Sequence, residues 1–225
     1  MLLGRTTIAL TPPELARLRA AVASAAPELA PLLDEGLAVD RMEQPWFRGH
    51  NILDVQLTGA ARARRLYVAV ARGATPSMAV LTGQLAALHR VAAADPPLCL
   101  DVEPLAAAYA AYGDAWTSGA ALGEMVVTRF EDLPWSRELS SADRARIEVL
   151  RLRFASRLGP QQRRHGAAGW TFTQWRLSAR TLLERELVVP PSGLLTRRDV
   201  VHATELPVPV GHDWDVVDGR PVPTL

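Results

Sequence analysis

Two pairs of strand-like segments, each joined by a short connection, constrain the fold of this chain most. Segments 48–57 and 65–71 form the first pair, and segments 170–177 and 182–189 form the second. Each segment is rich in leucine, β-branched or aromatic residues, and strands joined by so few residues pair antiparallel. Helical patterns lie between the two pairs and do not follow every strand. The order therefore predicts an α+β fold: an antiparallel sheet with helices packed on one side.

Helical spacing of apolar residues predicts helices that begin at Thr11, at Pro76, near Leu105 and at Ser140. Thr11 precedes two prolines and an acid, which is typical of a helix N-terminus. The apolar stripe that starts at Pro76 continues to Ala94 and predicts one helix over that whole stretch.

No internal repeat or low-complexity linker divides the chain. Residues 1–195 are therefore predicted to form a single domain, with a helical insertion at 104–168. Residues 196–225 are rich in proline and acid, and are predicted to form a C-terminal arm or lid.

All 25 basic residues are arginine, a composition typical of a high-GC bacterial gene. Without lysine, a Schiff base or a lysine general base is excluded. Anion binding would depend on guanidinium groups, which match planar carboxylates well. The net charge of +1 predicts neither a nucleic-acid partner nor a membrane partner.

Cysteine usage and the length of apolar runs bear on the location of the protein. Cys99 is the single cysteine, which excludes an internal disulfide framework, and its apolar neighbours predict that it packs as a small hydrophobe. No signal-peptide pattern opens the chain, and no apolar run approaches the roughly 20 residues of a membrane helix. The sequence thus predicts a cytoplasmic protein. Neither glycine-rich nucleotide motif is present, so nucleotide binding loses its usual sequence support.

Two further groups of titratable residues match known chemistry only loosely. His50 and Asp54 fit the His-x-x-x-Asp pattern of acyl-transfer condensation enzymes, but the glycine that usually follows is absent and an accidental match is favoured. The tail contains five possible metal ligands whose spacing matches no ligand motif: His202, Glu205, His212, Asp213 and Asp215. A solvated arm without a metal is predicted there.

The most informative segment for chemistry is the strand pattern that contains Glu186. Alternation places Leu182, Glu184 and Glu186 on one face of this strand, and Leu183, Arg185 and Leu187 on the other. A carboxyl group that faces an apolar cavity has a raised pKa, as a general acid requires. The alternative is a solvated face on which glutamate and arginine form cross-strand pairs.

Three motifs in order resemble the chorismate pyruvate-lyase family. Residues 175–190 (WRLSARTLLERELVVP) resemble the terminal hairpin of that family, residues 67–76 (YVAVARGATP) resemble its strand ending in Arg-Thr-Val-x-Pro, and residues 84–98 resemble the helix that leads to its Pro-Leu-Gly. The resemblance implies a chorismate lyase-like fold and elimination or rearrangement of a cyclic, carboxylated substrate without a cofactor. It implies that Glu186 is the acid and that Arg72 binds a substrate carboxylate.

The chain departs from the family pattern at the first strand of the early hairpin. The family has a carboxylate-binding arginine there, whereas this strand has Leu53 and Asp54. Arg48, His50 and Arg176 are therefore further candidates for substrate binding. Two alternatives to a carbon–oxygen lyase stay open: a non-catalytic ligand-binding protein on the same fold, and a tailoring or cyclising enzyme of secondary metabolism.

Overall fold

The computed structural model describes most of the chain: residues 3–34, 36–57, 64–73, 76–118, 124–208, 214–217 and 220–223. It confirms the α+β class, because the described residues contain helices and two main antiparallel sheets. The chain divides into two compact units. The first unit comprises residues 1–120 and 189–195, and the second comprises residues 121–188 and 196–225.

The sheet of the first unit has the strand order β1-β2-β3-β4-β5, and all neighbours are antiparallel. The strands are β1 Arg5–Thr7, β2 Leu37–Met42, β3 His50–Leu57, β4 Arg64–Ala71 and β5 Met78–Val80. The register places Leu53 opposite Arg41 on one side and opposite Val68 on the other. The predicted pairing of segments 48–57 and 65–71 is thus confirmed.

Three helices belong to the first unit: α1 Pro12–Ala25, α2 Leu85–Ala94 and α3 Glu103–Thr117. The α1 helix begins as predicted, since Thr11 and Glu14 form a reciprocal capping box. Leu18 and Val22 of α1 are fully buried and pack in one cluster with the β3 residues Leu53 and Val55. This apolar cluster fixes which face of the sheet each β3 side chain occupies.

The second unit contains a sheet of order β10-β9-β8-β6, with β7 also paired to β8. Its elements are β6 Glu124–Val127, α4 Ser141–Phe154, β7 Gln162–Gly166, β8 Gly169–Ser178, β9 Thr181–Val189 and β10 Thr196–Ala203. Two residues, Ala179 and Arg180, connect β8 to β9, and Ala179 adopts a left-handed φ of 49°. The predicted second pair of strands is confirmed. The two pairs lie in separate sheets, whereas the sequence predicted one.

Two predictions of local structure are wrong. The stretch after Pro76 forms β5 and then a turn at Gly83, whose φ is 74°, so that α2 begins only at Leu85. Apolar side chains at helical spacing served both a short strand and the following helix, and periodicity alone could not separate them. Cys99 is exposed and does not pack in the core.

The predicted C-terminal arm begins as an ordinary sheet strand. β10 pairs with β9 along its length, with Arg198 opposite Glu186, and a bulge follows Val201. A short ribbon of β11 Trp214–Val217 and β12 Arg220–Pro223 follows. His212 and Asp213 lie outside the described residues.

Candidate functional site

An open cleft of about 750 Å³ lies in the first unit. Its lining comes from the residues before β1, from β2 and the loop after it, from β3, from the residue after β4, and from α3. The lining residues are Leu3, Gly4, Arg41, Met42, Glu43, Gln44, Pro45, Asn51, Arg72 and Leu105. The cleft thus combines four polar or charged side chains beyond Arg72 with several apolar ones, as small-molecule sites usually do.

The register of the sheet brings the polar lining residues together. Arg41 lies opposite Leu53, and Asn51 is two residues before Leu53, so Arg41 and Asn51 share one face. Val70 lies opposite Asn51, and Arg72 follows two residues later. The cleft is therefore built by three neighbouring strands of one sheet.

Arg72, the predicted carboxylate-binding residue, lines this cleft. Its Nε donates to Asn51 Oδ1 at 3.0 Å, and its backbone N–H donates to Gly49 O at 2.7 Å. These bonds hold the base of the side chain, which is otherwise exposed. Neither Nη atom of Arg72 has a hydrogen-bond or ion-pair partner among the described residues, so both remain available to a ligand.

Gln44 shapes the rim of the cleft and has its own bonds satisfied. Its Oε1 accepts from the backbone N–H groups of Trp46 and Phe47, each at 2.8 Å. Its Nε2 donates to the carbonyl oxygens of Phe47 and His50, each at 3.1 Å. Gln44 therefore fixes the loop between β2 and β3, which also holds Glu43 in place.

His50 and Arg48, the other candidates in the first unit, do not line the cleft. His50 Nδ1 lies 3.0 Å from Asp95 Oδ2, and the backbone N–H of Gly49 donates to the same oxygen at 2.7 Å. Because Asp95 caps the C-terminus of α2, this contact anchors β3 to that helix. Arg48 is an exposed residue of the preceding loop.

Asp54, which stands near the place of the family arginine, is fully buried. Arg5 Nη1 and Arg65 Nε lie 2.9 and 3.0 Å from its two carboxylate oxygens. Burial raises the pKa of Asp54, and the two guanidinium groups oppose that shift. Since Asp54 pairs with arginines and His50 with Asp95, the described contacts do not join the His-x-x-x-Asp pair.

Glu186, the predicted acid, lies on β9 in the second unit and is partly buried. It is directly opposite Arg198 in the register. No hydrogen bond or ion pair connects the Glu186 carboxylate to another described residue. Glu184, on the same face, lies 3.1 Å from His202 Nε2.

Arg185 is the residue of β9 whose importance the sequence did not reveal. Its side chain is 3% exposed. Its two Nη atoms donate to the Glu124 carboxylate at 2.6 and 3.1 Å, and Nε and Nη2 donate to the Asp199 carboxylate, each at 2.8 Å. The candidate Arg176 adds a contact of 3.4 Å to Glu124. The hydrogen bonds and charge of Arg185 hold the pKa of Asp199 below its usual range.

The predicted site residues are thus divided between the two units. Arg72, Arg48 and His50 belong to the first unit, and Glu186 and Arg176 belong to the second. Within the first unit, the cleft joins Arg72 to Arg41, Glu43 and Asn51, none of which the sequence had indicated. The alternation of Leu37, Val39 and Arg41 in β2 is a sequence signal that could have indicated Arg41, but β2 is not among the predicted strands.

Metal-binding clusters and membrane-spanning helices can be assessed only for the part of the chain that the structure describes. There, no cluster of three or more His, Cys, Asp or Glu side chains is arranged to hold a metal ion. No described helix has both the length and the apolar character that crossing a membrane requires.

Comparison with known proteins identifies no family for this α+β chain. No protein-family model matches it, no curated protein matches it, and no solved structure matches it. The resemblance to the chorismate pyruvate-lyase family therefore stays a prediction from the three sequence motifs.

Proposed function

We propose that this protein binds a small carboxylated molecule in the cleft of the first unit. The supporting observation is that Arg72 and Arg41 line one cleft while neither forms an ion pair with a described carboxylate. Arg185 of the second unit differs from them, because its guanidinium group pairs with Glu124 and Asp199. Two uncompensated guanidinium groups in a concave site favour an anionic ligand.

The dimensions and lining of the cleft favour a metabolite with a single ring. A volume of about 750 Å³ is within the usual range for small-molecule sites. Leu3, Met42, Pro45 and Leu105 supply apolar surface against which a ring can pack. The resemblance favours a cyclic carboxylate such as chorismate as the ligand. The single cysteine, Cys99, favours a reducing cytoplasm as the location of the protein.

Replacing Arg72 by glutamine is expected to weaken binding of chorismate by about tenfold or more. A hydrogen bond to a charged group contributes about 1.5–3 kcal/mol, and the lower end applies in an open cleft. Titration calorimetry of the purified chain measures the change. Arg90→Gln serves as the matched control, because Arg90 is an exposed arginine of α2 outside the cleft. If the wild-type chain and Arg72→Gln bound chorismate with equal affinity, that result would contradict binding of chorismate at this cleft.

A carbon–oxygen lyase is the second candidate function. It is favoured by the partly buried Glu186 carboxylate, which no described guanidinium group neutralises. In an elimination, this acid would protonate the departing enolpyruvyl oxygen as the ring–oxygen bond breaks and the ring loses a proton. The enol released then tautomerises to pyruvate.

We expect Glu186→Gln to retain the fold and to abolish pyruvate release from chorismate, because the amide cannot supply the proton. Pyruvate is followed with a coupled dehydrogenase assay, and the fold with circular dichroism. Glu148→Gln, on the exposed surface of α4, is expected to keep full turnover. Turnover that persists in Glu186→Gln would rule out this acid, and binding without any release by the wild-type chain would favour a non-catalytic protein.

A further inference from the structure

The cleft also holds an acid that forms no ion pair with another described residue. Glu43 is exposed in the cleft lining beside Arg41 and Arg72. None of these three side chains forms an ion pair with another described residue. The cleft therefore presents two positive groups and one negative group that are all available to a bound molecule.

The backbone of Glu43 is hydrogen-bonded in place, and its carboxylate lies close to Gly4. Its backbone N–H donates to Gly4 O at 2.8 Å, and its Oε1 accepts from Thr6 Oγ1 at a long 3.4 Å. A β-carbon at Gly4 would overlap the Glu43 carboxylate, so the glycine permits this close approach. One weak hydroxyl contact leaves most of the acceptor capacity of the carboxylate unused.

Some charged residues of the first unit outside the cleft form ion pairs. Asp54 of β3 forms ion pairs with Arg5 and Arg65 at 2.9 and 3.0 Å. Arg19 and Asp34 form an exposed ion pair at 2.6 Å. The charges of the cleft form no ion pair with one another among the described residues, and this arrangement matches a ligand that carries both signs.

We infer that the ligand of this cleft is an amino carboxylate with a protonated amine. Its carboxylate is bound by Arg72 and Arg41, and its ammonium group donates to Glu43. This inference rests on the proposed function and narrows its ligand to a ring carboxylate that also carries a protonated amine. Chorismate, which has two carboxylates and no cation, is therefore expected to bind more weakly than such a ligand. A ligand without a cation would leave Glu43 next to a bound anion, which repulsion disfavours.

Three probes on one frame test the inference by titration calorimetry: 4-(aminomethyl)benzoate, 4-(hydroxymethyl)benzoate and 4-methylbenzoate. They share the ring and the carboxylate, and only the first carries a cation at neutral pH. We expect the amine to bind about fivefold more tightly than the other two, the effect of one solvent-exposed ion pair. Equal affinities of the three probes would overturn the inference and leave the proposed function intact. Failure of all three to bind would overturn both.

The variant Glu43→Gln tests whether Glu43 causes the preference for the amine probe. The variant is expected to bind all three probes with similar affinity, because the amide keeps the shape and loses the charge. Glu28→Gln, at an exposed position outside the cleft, should keep the fivefold preference. Gly4→Ala provides a second variant, since its methyl group displaces the Glu43 carboxylate and should also reduce the preference. A fivefold preference that survives in both Glu43→Gln and Gly4→Ala would overturn the inference.

Discussion

Replacing Arg185 by methionine is expected to lower the free energy of unfolding by about 3 kcal/mol, the lower end of the cost of breaking a buried ion pair. The lower end applies because Glu124 and Asp199 keep 24% and 33% of their side chains exposed and can recover part of their hydration. Denaturant titration followed by circular dichroism measures the change.

The size of the expected effect reflects the number of hydrogen bonds that the Arg185 guanidinium group forms. It donates two bonds to Glu124 on β6 and two to Asp199 on β10, and it lies on β9. Planar two-bond contacts of this type are the strongest that arginine forms with a carboxylate. Methionine fills much of the same volume, so that the loss of these bonds dominates over the loss of packing.

Arg198→Met is the matched control. Arg198 lies on the neighbouring strand β10, is exposed, and forms no ion pair with another described residue. Its replacement is expected to change stability by no more than about 0.5 kcal/mol. Equal effects of the two substitutions would show that Arg185 stabilises the sheet no more than an exposed arginine does.

The pH dependence of stability gives a second readout for Arg185. Asp199 has a lowered pKa in the folded state, so its contribution is present above the unfolded pKa and is lost as the pH falls through the folded pKa. Without Arg185 the pKa of Asp199 returns toward its usual range. The stability difference between the wild-type chain and Arg185→Met should therefore shrink on acidification.

Sequence patterns identified the strands that are locally determined and missed the pairings that join distant segments. Alternation placed Arg185 on the face with Leu183 and Leu187, which the burial of all three supports. It could not indicate that Glu124, 61 residues away, and Asp199, 14 residues away, would be the partners of Arg185. Those contacts depend on the strand order of the sheet, which local periodicity does not encode.

The candidate site was predictable to a similar extent. The motif resemblance indicated Arg72, which lines the cleft, but Arg41 and Glu43 reach it only because β2 pairs with β3. In β3, Asp54 stands near the place of the family's carboxylate-binding arginine, and the sequence of β3 alone does not reveal what Asp54 contacts. Its partner Arg5 comes from an edge strand 49 positions earlier, at 2.9 Å.

Phe154→Ala is expected to lower the free energy of unfolding by about 3–5 kcal/mol, the usual cost of deleting a buried aromatic ring. Phe154 is fully buried at the end of α4. Its ring lies 6.0 Å from the Trp175 ring of β8 in an edge-to-face arrangement. The guanidinium groups of Arg153 and Arg157 lie 5.0 and 5.6 Å from the Phe154 centroid. Truncation therefore removes core volume together with the contacts that cover it.

Leu152→Ala on the same helix separates packing from helix propensity. Leu152 is 87% exposed, and leucine and alanine are both good helix formers, so this change should cost no more than about 0.5 kcal/mol. Thermal and denaturant unfolding of the two variants give the comparison. The total tryptophan fluorescence, to which Trp175 contributes, should shift to longer wavelength only in Phe154→Ala. Similar losses in both variants would mean that α4 contributes through its helical backbone and not through the ring that it packs against β8.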